Sequence, residues 1–407
     1  MNTRWIIGLA PGSSADGVDA ALIEAHGAGL ELQTRPAQVR HLTYPPDLRN
    51  LLLQLAAPGE ADFKKLCLLH RLLGETFAAA AREVADRASF NLHKVQCLGC
   101  PGHTVWHETE GRFPSTLGIG MPAVIAERTG VTVVSDFLAR DVAAGGQGMP
   151  VTALVEALLF QDAAENRVLI HLGSAARITF LPARGRTHDV IGFEAGPCGV
   201  LLDELMRQLT GGRDAFDAGG KHAVQGRCIE SLLERWLAHP YLHRRPPKCL
   251  ARAAFGADFA RRAVQSAQQM HGSLHDLLCT ATHFVASAVT GALRRFLPRR
   301  EGPLRIFLSG GGVRNGLLWH LLEQQLANFA GLEKLESLGM PGEARKPLAF
   351  AMLAALTIDG VPANVPAATG AAGTKLLGSV TPGSSVNWAR CLAWMAAMAA
   401  PPLPPLD

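Results

Sequence analysis

The stretch Trp5-Ile6-Ile7-Gly8-Leu9-Ala10-Pro11-Gly12-Ser13-Ser14-Ala15-Asp16-Gly17-Val18-Asp19-Ala20-Ala21-Leu22-Ile23 decides how this chain folds. An apolar run meets a Gly/Ser/Asp turn and resumes as a second apolar run, which is the pattern of a β-hairpin. Glycines at 12 and 17 let the backbone approach a ligand, and successive N–H groups there can cradle an anion. Ser13 and Ser14 add hydroxyl donors. Asp16 repels a phosphate unless a Mg²⁺ stands between them, so an acid inside such a turn implies a metal. An ordinary Ser/Asp/Gly hairpin turn accounts for the same residues.

Outward from this hairpin, Val95–Gly99 and Val131–Val134 read as buried strands, the first closed by the polar turn at residues 101–103 and the second by Ser135-Asp136. Val168–Leu172 and Ile178–Leu181 form another strand pair around Gly173-Ser174-Ala175-Ala176-Arg177. Helical spacing runs from Phe63 to Ala85, with Leu66, Leu69, Leu72, Leu73 and Phe77 on one face, and returns over 201–209, 229–237, 274–296, 317–329 and 347–359. The strand Leu304–Leu308 leads into Ser309-Gly310-Gly311-Gly312-Val313-Arg314-Asn315, where three glycines let a flat ligand lie on the backbone at a helix N-terminus. It is neither a dinucleotide fingerprint nor a P-loop. Strands alternating with long helices mean an α/β protein. Two phosphate-type hairpins followed by a Gly-rich strand-to-helix turn occur in the order used by the sugar kinase, Hsp70 and actin superfamily. The expected fold is therefore a two-lobed, ribonuclease H-like α/β fold with ATP in the interlobe cleft. Residues 1–140 form an N-terminal lobe with the first hairpin. Residues 141–382 form a C-terminal lobe with the second hairpin, the helical region and the adenosine-side turn. A Pro-rich tail, 383–407, reads as appended, and the lobes are free to interleave near the C-terminus.

Composition agrees with a large soluble core. The 407 residues are 48% hydrophobic and 18% charged, which excludes disorder and allows two or three domains. A net charge of +4 on 39 basic and 35 acidic residues, with 6% aromatics, makes no case for nucleic acid or a membrane surface. The eight cysteines follow no framework spacing, and Cys97-Leu98-Gly99-Cys100 has no second pair, so it reads as core packing. With no leader-like N-terminus and no long apolar run, the expectation is a reduced, cytoplasmic protein.

The words between the turns carry more. GSSADGVD (12–19), GCPGHTVWH (99–107), MPAVIAERTGVTVVSDFLARDVAAGGQG (121–148) and GFEAGPCGVLLD (192–203) are followed by His239-Pro240-Tyr241, Pro247-Lys248, the turn 309–315, Leu348–Phe350, Thr369-Gly370-Ala371 and Leu377-Gly378. With these motifs the chain resembles the anhydro-N-acetylmuramic acid kinase family from about residue 5 to 382. The resemblance implies ATP- and Mg²⁺-dependent chemistry within cell-wall recycling. Water attacks the anomeric carbon of 1,6-anhydro-N-acetylmuramic acid, the anhydro ring opens, and the freed 6-oxygen takes the γ-phosphoryl group. This requires a carboxylate base, an in-line nucleotide and lobe closure. By the same resemblance Gly12, Ser13, Ser14, Asp16, Gly17, Asp19, Gly173, Gly310, Gly311, Gly312 and Asn315 serve ATP, with Asp16 reaching Mg²⁺ indirectly. Thr104, His107, Asp136, Arg140 and Asp141 serve the amino sugar, and Glu194 is the base. The family commonly forms homodimers through its second lobe.

The chain also departs from the family's pattern. Where the family has Gly-Phe/Tyr-Asp-Thr-Gly-Pro-Gly-Asn, residues 192–199 place Glu194 one methylene further out, with Ala195, Cys198 and Gly199 in place of Thr, Gly and Asn. A displacement of about 1 Å can cost ~10²-fold in rate. Ser13 replaces a Thr, Pro101 a His, His103 a Gln, Leu138 an Arg and Arg177 an Asn, and Lys346 stands at a family Glu. Two readings follow: a kinase working through Glu194, or a catalytically weak or inactive paralogue that binds nucleotide or another sugar as a sensor or partner. Glu194 itself reads as the base, as a solvated carboxylate, or as a partner of Arg177. His103 and His107 either reach substrate or pack beside Trp106.

Overall fold

The computed structural model describes residues 3–12, 15–55, 62–298 and 301–399. The chain divides into two compact units, the first made of 1–158, 343–366 and 371–407, the second of 159–342 and 367–370. The first unit thus extends past the expected boundary at 140 and takes the chain back near residue 343. Side-chain bonds explain why. The buried carboxylate of Asp141 accepts from Asn364 Nδ2 at 2.7 Å. Glu156 and Arg345 form a buried ion pair at 2.8 Å.

Among the described residues, seven strands lie in the first unit before residue 158: β1 (Arg4–Pro11), β2 (Gly17–His26), β3 (Gln33–Thr43), β4 (Val95–Cys100), β5 (His103–Glu108), β6 (Ser115–Ile119) and β7 (Thr132–Ser135). The main sheet has the order Ser379–Thr381, β7, β4, β1, β2, β3, and β5 pairs with β6 apart from it. β1–β2–β3 is an antiparallel meander, while β1, β4 and β7 run parallel. β1 and β4 are buried along almost their whole length, which is why they read as continuous apolar runs. β3 carries Pro36 and alternates in exposure, as an edge strand does. Helix Phe63–Arg87 starts on Asp62, whose side chain accepts from Lys65 N at 3.1 Å, and buries Leu69, Leu73, Phe77, Ala80, Ala81 and Val84. Leu66 and Leu72, expected on that face, are only partly buried.

Helix Gly342–Ile358 presses closely on this sheet. A Cβ on Gly8 would meet Pro347 O at 1.8 Å, and one on Gly99 would meet Phe350 O at 2.0 Å. The tail expected to be appended is built in as far as residue 399, and its Pro-rich stretch from 401 lies outside the described residues. Helix Ser385–Ala399 inserts Asn387, whose Oδ1 accepts from Thr132 N at 2.7 Å and Thr132 Oγ1 at 2.6 Å. Its Nδ2 donates to Val95 O at 2.9 Å and Gln96 O at 3.1 Å, joining β7 and β4. Trp394 Nε1 donates to Asp359 Oδ1 at 2.8 Å, and Asp359 takes the Arg4 guanidinium through two bonds of 2.6 Å.

The second unit holds β8 (Asn166–Leu172), β9 (Ala175–Leu181), β10 (Ile191–Pro197), β11 (Leu304–Ser309) and β12 (Leu332–Lys334), in the order β10-β9-β8-β11-β12. β8–β9–β10 is again an antiparallel meander, with β11 and β12 running parallel to β8. Each unit therefore repeats one plan: a meander whose first strand also starts a parallel series. The repeat lies in topology, since the sequences of the halves show none. It places the β1–β2 and β8–β9 turns at equivalent positions. Helix Leu274–Phe296, opened by a Ser273/Asp276 capping box, is long and apolar enough to cross a membrane by length and composition, but most of it is buried in this unit's core.

Candidate active site

The first turn is closed by its own backbone: Gly12 N donates to Gly17 O at 2.9 Å and Ala15 N to Gly12 O at 3.1 Å. Ala15 takes a left-handed φ of 54°. Gly17 is glycine because β3 runs against it, with Leu42 O 2.4 Å from where a Cβ would stand. Asp16 is exposed, and Asp19 binds His41 Nδ1 at 2.8 Å. Burial raises the Asp19 carboxyl pKa; His41 and the charge of Lys346 oppose that shift. The hydroxyl of buried Tyr44 has no hydrogen-bond partner, and burial together with Cys100, Asp16 and Asp19 raises its pKa. Ser13 and Ser14 lie outside the described residues.

The donors around the turn are of the kind Mg²⁺ takes: two carboxylates and an unpartnered hydroxyl supply hard oxygens. Among the described residues no group of three or more His, Cys, Asp or Glu could hold a metal by itself. The carboxylates of Asp16 and Asp19 suit only an ion that takes most of its oxygen ligands from elsewhere.

In the second unit the structure brings the other two glycine turns together. Gly310 has φ 91°, and a Cβ there would stand 2.6 Å from Leu172 O; one on Gly312 would stand 2.6 Å from Leu172 Cβ. Gly311 has nothing within 4 Å and keeps an open face. The β8–β9 turn is itself seated on helix Gly199–Leu209: Gly199 N donates to Gly173 O at 2.9 Å, and Val200 N to Ser174 O at 2.9 Å. That helix start is thus filled by carbonyls. Asn315 caps helix Gly316–Leu326, its Oδ1 accepting from Leu318 N at 3.0 Å. Asp203, in the same seat as Gly173 and Gly199, has its carboxyl pushed up to about 7 by burial.

The residues expected to serve the sugar fall into two kinds. His107 and Asp141 hold the chain at 145–148. His107 lies within bonding distance of Thr116 Oγ1 and Gln147 O, each at 3.1 Å, and Asp141 Oδ2 accepts from Gly148 N at 2.8 Å. Burial lowers the pKa of His107, against the bond to Gln147 O and the charge of Glu108. Thr104, Asp136 and Arg140 are exposed in their unit. Asp136 sits at φ 54°, the kind of backbone strain that gathers at functional sites, and partial burial raises its pKa against a bond from Ala139 N–H. His103 is buried, and Trp106 is 57% exposed, so these neighbours point to different environments.

Glu194, on β10, is buried, which removes the reading of a solvated carboxylate. Its Oε2 accepts from Leu250 N at 2.7 Å and from Cys249 Sγ at 3.4 Å, its backbone N donates to Lys248 O at 3.1 Å, and its backbone O accepts from Tyr241 Oη at 2.8 Å. Burial raises its pKa, while Leu250, Cys249 and the charge of Arg177, its partner across β9, pull the other way. A buried carboxyl with a raised pKa has the character a general base needs near neutrality.

A family model described as anhydro-N-acetylmuramic acid kinase matches residues 4–383. The chain belongs to the anhydro-N-acetylmuramic acid kinase family. An anhydro-N-acetylmuramic acid kinase of Gloeobacter violaceus is 38% identical over 384 residues, 94% of this chain and 100% of that protein. One of Caldanaerobacter subterraneus is 33% identical, covering 93% and 97%. The solved activator of the 2-hydroxyisocaproyl-CoA dehydratase from Clostridium difficile, with bound ADPNP, is similar at 11% identity and a TM-score of 0.44, covering 86% of this chain and 94% of that one. The anhydro-N-acetylmuramic acid kinase match ends before helix Ser385–Ala399 begins. Within it, sequence reasoning passed over Tyr44, Asp203 and the segment Lys248-Cys249-Leu250. Asp203 closes the stretch 192–203 and Lys248 follows Pro247, but what either side chain touches is not legible from the residues beside it.

Proposed function

We propose that this chain is an anhydro-N-acetylmuramic acid kinase that turns over its sugar, with Glu194 as the base. Glu194 takes a proton from water, whose oxygen bonds to the anomeric carbon of 1,6-anhydro-N-acetylmuramic acid. The anomeric carbon's bond to the 6-oxygen breaks, and that oxygen bonds to the γ-phosphorus of ATP as ADP leaves. The first turn and the Gly173/Gly310–Gly312 pair bind the nucleotide, and Asn315 holds the helix that follows the Gly-rich turn. Bound Mg²⁺ would neutralise phosphate charge beside Asp16 and Asp19. Thr104, Asp136 and Arg140 bind the sugar, and His107 and Asp141 fix the 145–148 segment next to them. The setting is cytoplasmic cell-wall recycling, with the protein as a homodimer. The observation that carries this reading is the buried, hydrogen-bonded Glu194 carboxyl with its raised pKa.

The test is phosphoryl transfer from labelled ATP·Mg²⁺ to the anhydro-sugar. Glu194→Gln is expected to lose about 10²–10⁴-fold in rate, the range for removing an acid–base group, while Glu194→Asp stays active. No turnover by the native protein, or full activity in Glu194→Gln, overturns the assignment.

A further inference from the structure

Lys248 is fully buried, at 0% exposure, which is rare for a lysine. Its Nζ donates to Tyr241 O at 3.1 Å and Leu242 O at 3.4 Å, the carbonyls of the short helix Pro240–His243. The ammonium also lies 4.7 Å from the Tyr241 ring centroid, 4.9 Å from that of Phe296 and 5.8 Å from that of Phe193. Two of these rings belong to the Glu194 surroundings: Phe193 precedes it on β10, and Tyr241 bonds its carbonyl. A methionine would fill the same aromatic box without burying a charge. What the lysine adds is a pair of directed bonds that fix the register of the chain around it. From that anchor, Lys248 O receives Glu194 N–H, and the next two residues present the Cys249 thiol and the Leu250 N–H to Glu194 Oε2.

We propose that Lys248 is a positioning residue for the reaction: by anchoring the strap 248–250 it sets the orientation and proton affinity of the Glu194 carboxylate. This rests on the reading of Glu194 as the base. Lys248 acts through the strap and does not touch substrate. The charged groups around the assembly are Arg177 beside Glu194, and Arg244 and Arg295 beside Lys248. Burial first, then these two arginines, lowers the lysine pKa to about 8, so the cation depends on its rings and carbonyls for stabilisation.

Full-length Lys248→Met is the test, read in two independent ways. Hydrogen exchange across residues 244–251 needs no turnover. There the variant is expected to exchange about tenfold faster or more, since the strap opens without its anchor. In kinetics, kcat is expected to fall by about 10–100-fold with KM for ATP nearly unchanged. The acid limb of the kcat/KM profile should move to higher pH, because Glu194 loses donors that favour its charged form. A merely structural role would lower the active fraction and leave that limb in place. Lys248→Gln, whose amide keeps N–H donors without the ammonium's charge or reach, should fall between the native protein and Lys248→Met. Unchanged exchange, or an unmoved limb, overturns the proposal. So does a Leu250 amide in the native protein that exchanges like an open loop, a reading that survives even if both variants fail to fold. Absent native turnover with a protected strap would instead remove Glu194 as the base.

Discussion

Replacing Gly8 with alanine places a methyl group 1.8 Å from Pro347 O, 2.7 Å from Pro347 C and 2.9 Å from Ala351 N. All three are backbone atoms of helix Gly342–Ile358, so no side chain can rotate out of the way. Bringing the closest contact back to the 3.0 Å edge of tolerable packing requires the helix to retreat by about 1.2 Å, or β1 to bend by as much. Both elements are fixed on several sides, the helix by the buried Arg345–Glu156 pair and β1 by β2 and β4. The cost belongs at the upper end for overpacking, about 3 kcal/mol, or a fall of ~6–12 °C in the melting temperature of a unit this size. The helix also carries Lys346, whose charge acts on Asp19 beside the first turn, so nucleotide affinity should weaken along with stability. Urea unfolding and ATP titration measure the two effects. Gly311→Ala is the control for the unfolding measurement alone, with no atom within 4 Å of the new methyl, and should stay within about 0.5 kcal/mol in stability. A Gly8→Ala protein as stable as the native one would refute the reasoning.

Other outcomes follow from single groups. Asn387→Ala leaves the Thr132 N–H without its acceptor in a buried site and should cost about 2–4 kcal/mol, read as a lower urea midpoint. Asp203 has its folded pKa raised from 3.8 to about 7, so the folded state binds the extra proton and stability falls as pH rises through that window. Asp203→Asn should therefore gain on the native protein between pH 4 and 7 in urea titrations; a constant gap across that range would contradict it. Breaking the buried Glu156–Arg345 pair with Glu156→Gln should cost about 3–5 kcal/mol in thermal unfolding, because a buried guanidinium loses the Glu156 carboxylate.

Trp5–Ala10 and Val18–Ile23 were legible as a hairpin because strands covered on both faces read as unbroken apolar runs, and glycine-rich turns punctuate them. Helix Phe63–Arg87 was legible from its spacing, although the buried stripe sits toward its alanines. What stayed hidden depends on partners far away in the chain. Asn387 in an apparently plain tail gives no local hint of Thr132 and Val95, nor does Asp141 of Asn364. For Glu194 the residue type and position were readable. The strap 54 to 56 residues later, which decides whether the carboxylate is solvated or held, was not. Gly173 and Asn315 were readable as turn residues, yet their backbone and cap bonds appear only once helices Gly199–Leu209 and Gly316–Leu326 are in place.

The Arg4–Asp359–Trp394 cluster ties the first strand of the chain to its last described helix. During synthesis Arg4 leaves the ribosome long before Trp394, whereas the second unit is spelled out almost without interruption from 159 to 342. The order of completion is therefore inverted with respect to the order of translation. The inner stretch of the message can finish its core while the opening strand waits, with a guanidinium destined for burial still in water. A nascent chain stalled before residue 385 would carry an unfinished first unit, marking that interval as the one in which aggregation competes with folding.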